Sequence, residues 1–155
     1  MLVALLLALA IPTYGPMPAP SPSAPGYLRV PNVATEALIV DSGSTNRAAY
    51  RLRVSADGTT ALQQGDVPIQ KHVAAALVNR FFADLRAAGP LDQLSAARCM
   101  KSASFGSTTQ IGYLGKMSPD VTCPGSPAMR TLEVDAQALA DAAGVSMMPA
   151  IRKQP

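Results

Sequence analysis

Residues 50–58 read Tyr-Arg-Leu-Arg-Val-Ser-Ala-Asp-Gly. Successive side chains of an extended chain point to opposite faces, so Tyr50, Leu52 and Val54 share an apolar side and Arg51, Arg53 and Ser55 a wet one. Asp57-Gly58 then offers the positive φ that a tight hairpin turn demands, and residues 59–63 are predicted to return as the partner strand. A lone hairpin with one apolar face is not stable in water. Something must cover that face, and this requirement dictates a layered fold.

The neighbouring segments supply the cover. Residues 36–41, Glu-Ala-Leu-Ile-Val-Asp, form a short run rich in branched side chains and predict a buried strand, with a polar loop at 42–46 after it. From 68 to 88 the period changes: Ile69, Val73, Leu77, Phe81 and Leu85 recur every four residues and predict one long amphipathic helix. Asp66 would cap it, Pro68 would sit in its first turn, and Gly89-Pro90 would end it. After a connection at 91–97, Thr109, Ile111 and Tyr113, among Gly106, Gly112 and Gly115, predict further strands, with a turn at 118–120 and a brief strand at 121–123. Leu132 and Val134 alternate with polar neighbours and predict a last strand at 131–135. Asp135 would then cap a short Ala-rich helix through Ala143, closed by Gly144. The expected class is α+β: a mostly antiparallel sheet built from two hairpin regions, with one long and one short helix packed on one face.

A chain of 155 residues allows one domain, and 48% hydrophobic residues exclude disorder throughout. Four segments are expected. Residues 1–11 form an apolar, signal-peptide-like segment, too short to span a bilayer and carrying a small-x-small pattern at Ala8-Leu9-Ala10. Residues 12–34 are a Pro-rich linker with prolines at 12, 16, 18, 20, 22 and 25. Residues 35–145 are the single α+β domain, and 146–155 a loose tail. An export signal places the mature protein outside the cytosol, secreted or periplasmic. There the two cysteines, Cys99 and Cys123, are expected to form one disulfide, and a loop of that size contributes about 3–4 kcal/mol in the chain-entropy model.

Charge and composition exclude several function classes. The formal net charge is +3, but Arg29, Arg152 and Lys153 lie in the flanks, and without them ten basic groups face ten acidic ones. Apart from Arg51 and Arg53 there is no basic stripe with interleaved aromatics, so no nucleic-acid partner is expected. Two cysteines and one histidine cannot make a zinc site of several Cys and His, and no metal or cofactor is implied. His72 has no identifiable catalytic partner in the sequence.

Two stretches resemble known families. Leu38-Ile39-Val40-Asp41-Ser42-Gly43-Ser44-Thr45 resembles the active-site signature of aspartic proteases: three apolar residues, Asp-Ser/Thr-Gly, then small polar residues. That resemblance implies a homodimeric aspartic protease, since only one such motif is present and two facing carboxylates must share a proton. Asp41, Ser42 and Gly43 would be its catalytic elements. The broader run 36–88 (apolar strand, Asp-Ser-Gly loop, Tyr-x-Leu-x-Val, Asp-Gly, then a helix with Phe81-Phe82) looks like small exported bacterial domains of uncharacterised function. It is also similar in layout to emfourin-type inhibitors of metalloproteases, which implies a binding module. The leading expectation is therefore an exported, non-catalytic, inhibitor-like domain that binds a protein or cell-envelope component. The loop at 42–48 is its expected contact, with Asn46 and Arg47 as polar groups; the aspartic protease is the alternative.

Overall fold

A computed structural model describes residues 29–102 and 106–145. The signal-like segment, the prolines at 12–25 and the tail at 146–155 lie outside the described residues. Six strands form one antiparallel sheet: β1 (Glu36–Asp41), β2 (Tyr50–Ser55), β3 (Thr59–Gln63), β4 (Ile69–His72), β5 (Thr109–Tyr113) and β6 (Lys116–Met117). Their spatial order is β4-β3-β2-β1-β5-β6, so the first strand lies inside the sheet. Among the described residues two α-helices complete the fold, α1 (Ala75–Ala88) and α2 (Pro127–Ala143), with one turn of 3-10 helix at Leu91–Gln93. This is the expected α+β class.

The 50–63 hairpin forms as its alternation dictates, with Leu52 opposite Leu62 and Val54 opposite Thr60. Ala37, Ile39, Tyr50, Leu52, Val54, Leu62, Ile111 and Tyr113 join one core with Phe81, Phe82 and Leu85 of α1 and Leu132 and Leu139 of α2. Phe82 meets both Phe81 and Tyr113 edge-on, at 5.7 and 6.0 Å between ring centroids. Emptying such a site, as in Phe81→Ala, costs about 3–5 kcal/mol.

Both helices depart from expectation. The predicted helix at 68–88 is two elements: residues 69–72 pair with β3, and α1 begins only at Ala75. Asp66 caps nothing there; the N-cap is Ala74, with no side-chain hydrogen bond. Ile69, first in the supposed stripe, is 57% exposed, while Val73 is buried, its N–H bonded to Gly58 O at 2.9 Å. Pairing along the open edge of β3 outweighed helical propensity in the first turn and a half.

The predicted strand at 131–135 is helix instead. Helix α2 starts at Pro127, with Ser126 as N-cap accepting from Met129 N, and it is the longer of the two. Asp135 is therefore a buried mid-helix residue, not a cap. The predicted strand at 121–123 is a turn, with one isolated bridge from Ala96 to Pro124 beside it. At the other end, the last residues assigned to the linker belong to the fold: Val30 packs over Gly112, and Pro31 O accepts from Gly115 N at 2.7 Å.

Candidate functional site

The end of the sheet formed by the last residue of β1 and the first of β5 brings together Asp41, Ser42, Gly43 and Arg47 of the residues that the sequence singled out. Asp41 terminates β1 with its side chain fully buried. Its Oδ2 accepts from Arg47 Nη2 at 2.7 Å and from Thr109 Oγ1 at 2.6 Å, and its Oδ1 from Gly43 N at 2.8 Å. Gly43 has φ 73°, and a Cβ there would run into the backbone of Arg47 and Ala49. The Asp-Ser-Gly triplet is thus a turn that closes on its own carboxylate.

A proton-sharing catalytic dyad needs a second carboxylate across from the first. Within the chain, Asp41 faces the guanidinium of Arg47.

Arg47 ties three parts of the chain together. Besides Asp41, it donates to Ser107 Oγ at 2.9 Å and to Gln137 Oε1 of α2 at 3.2 Å, and its guanidinium carbon lies 5.7 Å from the Tyr50 ring centroid. Burial above all, with the charge of Asp41, pushes the Tyr50 hydroxyl up to about 12, against the opposing pull of Arg47. Asn46 differs from its neighbour: it is exposed at the tip of the turn whose ends, Ser44 and Arg47, exchange backbone hydrogen bonds of 2.8 and 3.2 Å. Arg47 and Gln137 also line an open cleft of about 590 Å³. Its rim carries Arg130, Glu133 and Asp141, charges of both signs that select for no ligand charge.

A second segment at this end escaped the sequence reading. Residues 95–101 run exposed along the surface, and Met100 is fully exposed. They are nevertheless held at several points. Ala97 N donates to Cys123 O at 2.8 Å, and Cys99 is bonded to Cys123, with 5.7 Å between their Cα atoms. Lys101 pairs with Asp120 and donates to Thr122 Oγ1 at 2.6 Å. Gly125 passes directly beneath Ser95, where a side chain would strike the Ser95 carbonyl. Burial raises the Asp120 pKa, but hydrogen bonds from Lys101, from the Thr122 side chain and from the Thr109 and Thr122 backbones outweigh it and hold the group below its ordinary value. Both loops are tied to residues 107–108: Ser42 N donates to Thr108 O and Ser42 Oγ accepts from Thr108 N, both at 2.9 Å, while Arg47 and Lys101 donate to the hydroxyl and the carbonyl of Ser107. The cysteines marked this segment in the sequence; nothing there showed that its side chains would face outward.

Among the described residues, no three His, Cys, Asp or Glu side chains gather as a metal site, and no helix is long and apolar enough to cross a membrane. His72 lies exposed on the edge strand β4. Compared with protein-family models, curated proteins and solved structures, the chain matches none.

Proposed function

We propose that the chain is an exported, non-catalytic domain that binds a protein partner as an inhibitor does, and that the partner is an extracellular protease whose substrate cleft receives residues 95–101. One observation carries the proposal: an exposed segment that presents a fully exposed methionine, Met100, is held by backbone pairing, a disulfide and the Lys101–Asp120 pair. Immobilising a peptide before it binds removes ordering entropy from the cost of association. Protease clefts take peptides in extended form, with main-chain hydrogen bonds for affinity and side-chain pockets for specificity. The flexible, polarizable Met100 side chain suits an apolar pocket. Because Cys99 and Lys101 are both anchored, a cut beside Met100 would leave the two new ends tethered to the domain. The disulfide fits the oxidising compartment that the signal-like N-terminus calls for. Asn46, on the adjoining turn, extends the contact surface, and Arg47 braces it from behind.

The test is inhibition of chymotrypsin, subtilisin and thermolysin by the purified, oxidised chain. At least one should be inhibited stoichiometrically, and Met100→Asp should weaken that inhibition by roughly 100-fold, as for a central anchor residue. Asn46→Ala should weaken it by much less. A chain that binds none of the three, or one whose inhibition survives Met100→Asp unchanged, overturns the proposal.

A further inference from the structure

The end of β5 away from the Asp41 cluster carries a turn whose sequence the fold itself does not call for. Tyr113 of β5 pairs with Lys116 of β6, so Leu114 and Gly115 alone make the connection. Both have positive φ, 50° and 73°, as a type I′ hairpin turn requires. Such a turn favours Asn or Gly at its first position, because a larger side chain crowds the following carbonyl. Among the described residues, Leu114 is the one non-glycine with positive φ. Its side chain is half exposed, so burial in the core does little to offset the strain. Backbone strain that the fold does not repay is found where a protein holds a ligand.

Leu114 lines an apolar groove of about 420 Å³, inside the range of about 300–1,000 Å³ that small-molecule sites take. Leu85, Leu91 and Tyr113, all buried, form its floor. The Tyr113 ring is fixed there, its hydroxyl donating to Ala34 O at 3.2 Å and its edge against Phe82. Two charged side chains line the groove, Arg86 and Lys116, and no carboxylate does. Lys116 is paired with Asp92 at 2.8 Å. The Arg86 side chain has no ion pair or hydrogen bond among the described residues, which leaves one positive charge beside an apolar surface. We propose that this groove binds a fatty-acid-like amphiphile, its acyl chain against Leu114 and the buried floor and its carboxylate on Arg86. The guanidinium fork matches a carboxylate in shape and in its single charge. A peptide would bring N–H and C=O groups that this lining does not pair, whereas an acyl chain brings none.

Titration calorimetry of the purified, oxidised chain with dodecanoate below its micelle concentration, and with dodecanol as the uncharged probe, tests the site. The wild type should bind dodecanoate stoichiometrically and dodecanol about tenfold more weakly. Leu114→Asn suits the turn but removes the apolar wall. Its thermal midpoint should rise on the order of 4 °C while its dodecanoate binding weakens roughly tenfold. Arg86→Gln should lower dodecanoate binding to the dodecanol level and leave dodecanol binding unchanged. Sedimentation of wild type and Leu114→Asn reads the rival occupant, a second copy of the chain. Four results each overturn the proposal: no dodecanoate binding, equal binding of the two probes, a Leu114→Asn that binds undiminished or melts lower, or a dimer that Leu114→Asn disperses.

Discussion

Asp41 and Asp135 are both buried, and each faces one arginine, Arg47 and Arg80 respectively, yet their oxygens meet different surroundings. Asp41 sits where a strand gives way to a turn, and there the chain has donors to spare: the Gly43 N–H, the Thr109 hydroxyl and Arg47 fill both of its oxygens. Asp135 sits in mid-helix, where the nearby backbone donors are already used, and one of its oxygens is left bare. Burial and an ion pair are therefore not enough to satisfy both oxygens of a carboxylate. The supply of local donors decides it.

The largest expected effect tests that contrast directly. Asp41→Ala strands Arg47 in a mostly buried position and frees the turn, and should cost about 3–5 kcal/mol in urea unfolding. Asp135→Ala removes a group already half unsatisfied and should cost about 1 kcal/mol. Equal losses would erase the distinction. Next in size, replacing both Cys99 and Cys123 by Ser should cost about 3 kcal/mol, through the closed loop between them. Because the Asp41 cluster is built without the sulfurs, the high Tyr50 value should survive that change.

The smallest effect is on Tyr50 itself. Its hydroxyl titrates at about 12 when folded, above the ordinary tyrosine range. Its contribution to stability is therefore full below that range and lost as pH rises through about 12. Tyrosinate absorbance, with Tyr50→Phe as the reference, should show this late step, and Asp41→Asn should move it down because the Asp41 charge helps to raise it. A Tyr50 step unmoved by Asp41→Asn would show that burial alone governs that site.

Much of the fold was legible before any coordinates, and the exceptions share a cause. The hairpin from Tyr50 to Gln63 was readable because its alternation and its Asp57-Gly58 turn agree. Strand β4 was not: all four of its side chains are exposed, so it carries no alternation, and Ile69 and Val73 fell by accident into the helical period of α1. Helix α2 was hidden by Asp135, a charged residue inside an apolar stripe, which reads locally as a cap. The residue that obscured the helix is the one its interior leaves unsatisfied. At the site, Asp41-Ser42-Gly43 was visible as a motif, but its chemistry depends on Arg47 and Thr109, which only the closed turn and the β1–β5 pairing bring near. The cysteine pairing was legible because only two cysteines are present and the expected compartment is oxidising. The outward face of residues 95–101 was not, because exposure is set by what lies beneath a segment, and here that is the backbone at Gly125.

That floor separates two properties that compete in most binding surfaces. The side chains of residues 95–101 add little to the hydrophobic interior, and their path is held by main chain, sulfur and one lysine. Met100 can therefore be exchanged for a ring, a branched chain or a charge without disturbing how the domain folds. Such a surface can be retuned toward a new target by point changes alone, while Gly125 stays as invariant as a hinge pin.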